Sequence, residues 1–290
     1  MSANISYIPR KKDHQGSHVS TFFDKKHGVH WAILNKDAPK RITLEMLSDL
    51  QQVQNEVKDR IDQQGDLNYQ IFTSAIPGIF SLGGDLGLFS QCSITHDRAT
   101  LENYARIATE FVYNGAVNYQ KPVTTISIVK GAAFGGGFEG ALGANVVIAE
   151  KQSLFSFPET RFGMFPGMGA FTLLKRRVPV HVAEEIIFSA KIYTAEQLHE
   201  MGVVDIVCEE GEGDSTASAF IAKRHRQKKG IDTMRSMVEQ FAPVDREEMY
   251  AITDRWVDSA LDLGDKERRI IEVLMKKNDL RTLEDLLGTD

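Results

Sequence analysis

Three glycines in a row, Gly135, Gly136 and Gly137, separate a run rich in β-branched residues over 123–129 from the segment Phe138-Glu-Gly-Ala-Leu142, and a second apolar run follows over 146–149. A glycine triplet weakens any strand it enters, because glycine loses the most conformational freedom on folding. It suits a helix start instead, where the first amides have no partner within the helix and can approach another group with no Cβ in the way. Glu139 stands just after the triplet, and Glu159 lies twenty residues later in the Pro/Gly-rich stretch Phe157-Pro-Glu-Thr-Arg-Phe-Gly-Met-Phe-Pro-Gly-Met-Gly169. A carboxylate in a first helical turn is favoured by the helix dipole, whereas apolar surroundings disfavour its ionised form. Phe134, Phe138, Phe155, Phe157, Phe162, Met164 and Phe165 surround both glutamates in sequence. That setting holds one carboxyl towards the protonated state while the other stays ionised, which makes an acid and a base. A single glutamate in a first turn is commonly just a dipole-compatible residue; the pair carries the weight.

Upstream, Val29-His-Trp-Ala-Ile-Leu34 suits a buried strand, and Thr43 caps a helix in which Leu44, Leu47 and Leu50 keep helical spacing. Tyr69-Gln-Ile-Phe-Thr-Ser-Ala75 reads as the next strand, and in residues 76–85 glycines and a proline argue against both helix and regular strand. Residues 97–116 read as a helix with Leu101, Tyr104, Ala105, Ala108 and Phe111 on one side, before the strand at 123–129. Such alternation predicts βαβ architecture with largely parallel strands, whose ligands sit beyond the carboxyl ends of the strands. The loops at 82–85 and 131–137 both fall at such ends. From Asp214 to Leu287 only helices are expected, punctuated near Gly230, Pro243, Gly264 and Asn278.

At 290 residues the chain can bury a large core, and a net charge of −6 gives no electrostatic reason to expect nucleic acid. The two cysteines, Cys92 and Cys208, lack CxxC or CxxH neighbours, so neither a disulfide framework nor structural zinc is expected and a reducing cytosol fits. His27 and His30 share a His-x-x-His spacing, but no acidic or cysteine partner completes a ligand set near them in sequence, so no metal is assigned. The polar N-terminus has no secretory character, no run of about 18 apolar residues is present to span a membrane, and a disordered arm is expected over residues 1–18.

Gly135-Gly-Gly-Phe-Glu-Gly140 formally satisfies G-x-G-x-x-G, the dinucleotide fingerprint. Three features count against it: the glycines follow the 123–129 strand by six residues, the motif lies mid-chain, and Glu139 puts negative charge where a pyrophosphate must sit. A Walker loop is excluded because no Gly-Lys-Ser/Thr follows. Amides that stabilise an oxyanion fit better, with Gly83 and Gly84 able to supply a second donor. An ordinary turn is the commoner explanation of any one glycine pair; two glycine loops at parallel-strand ends shift the balance.

The block from Gly131 to Glu139, the 157–169 stretch, and Ile192-Tyr-Thr-Ala-Glu-Gln-Leu-His-Glu-Met-Gly-Val-Val-Asp205 resemble the crotonase, or enoyl-CoA hydratase/isomerase, superfamily over residues 29 to about 210. Within it, Phe80-Ser-Leu-Gly-Gly-Asp-Leu-Gly-Leu-Phe89, Phe165-Pro-Gly-Met-Gly-Ala170 and Ile252-Thr-Asp-Arg-Trp-Val-Asp-Ser-Ala-Leu-Asp-Leu-Gly264 resemble bacterial diffusible signal factor synthases. The resemblance implies an α/β fold, a crotonase-like spiral of β-β-α turns over 19–210 with a C-terminal helical region over 211–290, assembled as a trimer or pair of trimers. It implies oxyanion amides at Gly84 and Gly136, catalytic carboxylates at Glu139 and Glu159, and no cofactor. Leu82, Gly83, Gly135, Phe162, Met164, Phe165 and Trp256 are the expected substrate-binding residues. The implied activity is dehydration of a 3-hydroxyacyl thioester on acyl carrier protein to a cis-2-enoyl thioester, then hydrolysis to a free cis-2-unsaturated fatty acid used in cell-to-cell signalling.

Hydratases of the superfamily often carry a lysine shortly after the Gly-x-Asp of the first loop, where it can meet coenzyme A phosphates; here Asp85 is followed by Leu86-Gly-Leu-Phe-Ser90. That departure favours a carrier-protein substrate. Phe162, Met164, Phe165 and Met168 are bulky enough to line a long acyl pocket, although core packing accounts for them nearly as well. Trp256 keeps helical spacing with Met249, Ile252 and Ala260, so a core role competes with substrate contact. Lys223-Arg-His-Arg-Gln-Lys-Lys229 reads first as a solvated helix end and second as a dock for an acidic carrier protein. The alternatives are an ordinary enoyl-CoA hydratase or isomerase, and a non-catalytic partner of a signalling sensor.

Overall fold

The computed structural model describes His14, Gln15 and residues 17–276. The chain opens with β1 (His14–Gln15), β2 (Val19–Asp24), β3 (Val29–Leu34), α1 (Leu44–Gln63), β4 (Tyr69–Ser74), β5 (Ile79–Ser81), α2 (Leu86–Thr95) and α3 (Arg98–Ala116). It continues through β6 (Thr124–Val129), β7 (Ala132–Phe134), α4 (Gly136–Leu142), β8 (Val146–Glu150), β9 (Leu154–Ser156), α5 (Ala170–Leu174), α6 (Val180–Phe188), β10 (Tyr193–Thr194), α7 (Ala195–Glu200) and β11 (Ile206–Cys208). Four helices close it: α8 (Gly213–His225), α9 (Lys228–Phe241), α10 (Arg246–Leu261) and α11 (Asp265–Lys276).

Strands fall into two sheets, one of seven in the order β1-β2-β3-β4-β6-β8-β11 and one of four in the order β10-β9-β7-β5. In the larger sheet β3, β4, β6, β8 and β11 run parallel, while β1, β2 and β3 pair antiparallel. Three central strands of this sheet are each followed almost at once by a short strand in the other, β4 by β5, β6 by β7 and β8 by β9, and then by helix. This is the expected spiral of β-β-α turns, and its corners need glycine. At Gly131, between β6 and β7, φ is +149°, and a side chain would run into the carbonyl of Gly78 at the neighbouring corner. Every residue of β6 is buried, as the centre of a parallel sheet covered on both faces requires. One face packs Trp31, Ile71, Ile126 and Ile148 against Ala217 and Ile221 of α8; the other joins the main core, which holds Leu101, Phe138, Phe155, Met249 and Trp256.

Several expectations need correcting. Residues 76–85 do contain a strand, β5, whose pairing with β7 shifts register between Ile79 and Ser81, so partner hydrogen bonds overcome the local breakers. A strand, β7, also ends directly before Gly135, so the six-residue gap cited against a dinucleotide fingerprint does not exist. The tail breaks at Gln227, and Gly230 lies in the first turn of α9, whose first residue, Lys228, bonds to both the Pro122 carbonyl and Asp232. The arm expected over 1–18 lies mostly outside the described residues; within it, His14–Gln15 pair with β2. The expected break at Asn278 also lies outside them.

Candidate active site

The loop at 82–85 spends its backbone groups one by one. Leu82 N–H donates to the Lys40 carbonyl at 2.8 Å, and the Leu82 carbonyl accepts from Arg41 Nη1 at 2.8 Å. Gly83 N–H donates to Ser81 Oγ at 3.2 Å, and its carbonyl accepts from Ile42 N–H at 2.8 Å. Asp85 N–H donates to the Tyr104 hydroxyl at 3.4 Å, which itself donates to the Ile42 carbonyl at 2.7 Å. The Gly84 amide has no such partner among the described residues, and a backbone donor left over in this way is available to a ligand.

The second glycine loop follows the same logic. Gly135 N–H donates to the Ser156 carbonyl at 2.9 Å, and the Gly135 carbonyl accepts from Phe138 and Glu139. Gly136 is the first residue of α4, so its amide has no acceptor within the helix. The two loops touch: a Cβ on Gly83 would stand 2.8 Å from the Phe134 carbonyl and 3.3 Å from the Gly136 nitrogen. Only glycine fits there, with φ at +84°.

Glu139, in the first turn of α4, is fully buried. Its Oε1 accepts from the amides of Met168 at 2.7 Å and Ala170 at 3.0 Å, and its Oε2 is buried without a partner. Burial raises its pKa to about 7, against the pull of those amides and of Gly169. Glu159 lies in a 3-10 turn, residues Pro158–Phe162, after β9. The residue is only half-buried, but its Oε2 is out of solvent and also unpartnered. Burial first and the nearby Glu139 second raise its pKa to about 8, with Arg41 pulling the other way. Both carboxyls thus titrate near neutrality, each with one oxygen uncommitted.

One cleft collects these groups. Leu82, Gly83, Gly84, Gly135, Gly136, Glu139, Glu159, Phe162, Met164 and Trp256, all expected at the site, line it together. Phe165 is half-buried against the core and is not among the lining residues. The sequence reading missed Arg41, Leu86, Phe89 and Leu274. Leu86 and Phe89 come from α2, whose start was signalled by Asp85, the N-cap accepting from Leu88 N–H at 3.1 Å. Leu274 arrives from α11, far along the chain, and no local signal marks it. Trp256 does both jobs weighed for it: it packs edge-on to Phe89 with ring centroids 4.8 Å apart and faces the cleft. A second cavity, lined almost wholly by apolar side chains such as Leu47, Leu50, Phe72 and Phe111, shares Gly136 and Met168 with the cleft.

Elsewhere, Lys223, Arg224, His225 and Arg226 are exposed at the α8–α9 turn. His27 contacts Asp24 and His30 faces Glu56 at 3.9 Å, and among the described residues no three potential ligands gather round a metal position. No helix of the described residues is long and apolar enough to cross a membrane.

The family model described as enoyl-CoA hydratase/isomerase matches residues 26–258, most of the chain. The protein belongs to the enoyl-CoA hydratase/isomerase family. Among similar proteins of this family is the mouse mitochondrial methylglutaconyl-CoA hydratase, 29% identical over 181 residues that cover 62% of this chain and 53% of the relative. The chain spans about half the length of the curated relatives it matches. Solved folds agree over nearly the full chain. Human mitochondrial delta3-delta2-enoyl-CoA isomerase superposes with a TM-score of 0.75 at 20% identity, covering 92% of this chain and 99% of that one. An enoyl-CoA hydratase from Bacillus halodurans gives 0.74 at 18%, covering 89% and 100%. At such identities the likeness speaks for the crotonase fold.

Proposed function

We propose that this family member is an acyl-thioester lyase and thioesterase that converts a 3-hydroxyacyl thioester, carried on acyl carrier protein, to a cis-2-enoyl thioester and then releases the free cis-2-unsaturated acid. The observation that carries the reading is the meeting of Glu139, Glu159 and the unspent amides of Gly84 and Gly136 in one cleft. A thioester carbonyl between the two amides becomes an enolate when one glutamate removes the α-proton. The other glutamate protonates the departing 3-hydroxyl, which leaves as water. With pKa values of about 7 and about 8, the pair supplies one proton acceptor and one donor near neutral pH. The same hole then serves a second oxyanion, formed when water adds to the carbonyl before the carbon–sulfur bond breaks.

Two features support an acyl chain on a carrier protein. Leu86 lines the cleft in the region where hydratases often place a phosphate-binding lysine, and the apolar cavity behind Gly136 and Met168 suits a hydrocarbon tail. The proposal includes a homo-oligomer in the cytoplasm; exposed Phe188, Met234 and Phe241 support self-association.

An ordinary enoyl-CoA hydratase or isomerase is the second reading, favoured by the CoA-named relatives. Mass spectrometry separates the two. Release of a free unsaturated acid from 3-hydroxyacyl carrier protein is expected; reversible hydration of enoyl-CoA with no acid released would overturn the synthase reading.

A further inference from the structure

Arg41 lies in the loop before Thr43, the N-cap of α1, and lines the cleft together with Glu159. One of its five N–H groups is spent, Nη1 donating to the Leu82 carbonyl at 2.8 Å. No other hydrogen bond and no ion pair engages it among the described residues. Its remaining donors are not among the buried polar atoms left unpartnered, so they are not sealed off from solvent. Burial pushes this guanidinium below its ordinary value, while Asp85, Tyr104 and Glu159 act on it from beyond bonding distance in the opposite sense.

A half-buried cation is costly, and among the described residues no carboxylate bonds to this one: Asp85 and Glu159 act on it only through space. Asp85 caps α2 through Leu88 N–H, and Glu159 stays largely protonated up to about pH 8. The fork of a guanidinium matches a carboxylate, and a charge-assisted bond of this kind is about twice as strong as a neutral one. Through Leu82, this fork is tied to the loop that presents the Gly84 amide.

We propose that Arg41 binds the carboxylate of the fatty acid set free in this cleft. The inference rests on the thioester hydrolysis above. In that step the oxygen of water bonds to the thioester carbon and the carbon–sulfur bond breaks with its electrons on sulfur. One proton of the water goes to the departing thiol, and the other leaves the new carboxylic acid. A neutral acyl group therefore becomes an anion where the amides of Gly84 and Gly136 hold it, and Arg41 supplies the opposite charge. A hydratase that leaves its thioester intact makes no such anion. The other source of a carboxylate is Glu159 itself once ionised.

Calorimetric titration of the full chain with octanoate, and with octan-1-ol as an uncharged probe of equal length, tests this at about pH 7. The wild-type protein is expected to prefer octanoate. Arg41→Gln is expected to weaken octanoate by about tenfold or more and leave octan-1-ol unchanged, with Arg41→Lys intermediate. The same loss in a Glu159→Gln background assigns the effect to the ligand's carboxylate. Equal loss for both probes would reveal a structural role, and no loss, or no preference in the wild type, would leave Glu159 as the partner; each overturns the proposal. The thioesterase reading is judged separately, by the free acid released from the carrier protein.

Discussion

The carboxyl group of Glu159 lies directly over Gly135: a Cβ on this glycine would fall on Oε1 of Glu159, with Cδ at 3.2 Å and Oε2 at 3.7 Å. The glycine before the Gly136 amide therefore makes the space in which the second carboxyl sits. Its φ of +52° is one that side-chain-bearing residues rarely adopt.

Gly135→Ala must then displace Glu159 and strain the start of α4 together. We expect turnover to fall about a hundredfold, as a displacement of about 1 Å in a reacting group does, with the far-ultraviolet circular dichroism spectrum retained. A rate close to wild type would mean that Glu159 works from another position.

Glu139→Gln and Glu159→Gln should each lower the dehydration rate by roughly a hundred- to ten-thousand-fold. In the wild type the coupled pair predicts a bell-shaped dependence of kcat/KM on pH, with limbs near about 7 and about 8, because activity needs one carboxyl protonated and the other not. A flat profile across that interval would remove the pair from the rate-limiting step.

Stability carries the same signature with a definite sign. Between the ordinary value of 4.5 and about 7, folded Glu139 keeps a proton that the unfolded chain has lost, so stability falls as pH rises through this window and then levels off. Glu139→Gln keeps an acceptor for the amides of Met168 and Ala170 but cannot ionise. Denaturant titration should find it more stable than wild type by on the order of 1–3 kcal/mol at about pH 8.5, and nearly equal at about pH 4.5.

Gly140 lines the apolar cavity behind Met168, and a Cβ there would meet nothing within 4 Å. Gly140→Ala should stabilise the protein by about 0.5–1 kcal/mol through helix propensity. Gly140→Leu should fill the cavity and lower kcat/KM for long-chain acyl thioesters at least about tenfold, while crotonyl thioester turnover is kept. Parallel loss on both chain lengths would show that the cavity does not receive the chain.

Tyr104 ties Ile42 to Asp85 through one hydroxyl. Tyr104→Phe leaves the Ile42 carbonyl without that donor and frees the loop bearing Gly84. A fall in kcat of roughly tenfold with little change in KM is expected, since an oxyanion donor acts mainly on the transition state.

Much of this was legible in the sequence, because it rests on local chemistry. The buried strands at β3, β4 and β6, the Thr43 cap and the helix after Asp97 follow from residue spacing and capping, which operate within a few residues. The glycine loops and the two glutamates were legible for the same reason. Strand β5 was not, since only its pairing with β7 makes a strand of three residues among breakers.

What the sequence by itself determined is which residues can bend, cap and ionise: Gly135 and Gly136 at a helix start, and acids at 139 and 159. Only the tertiary structure decided that the Lys40 carbonyl and the Tyr104 hydroxyl would take the amides of Leu82 and Asp85 on either side of the Gly83–Gly84 pair, and that Trp256 and Leu274 would close the cleft from the distant helical region. The reason is physical. A carboxyl's affinity for its proton and an amide's freedom depend on what excludes water from them, and here those groups lie far apart along the chain.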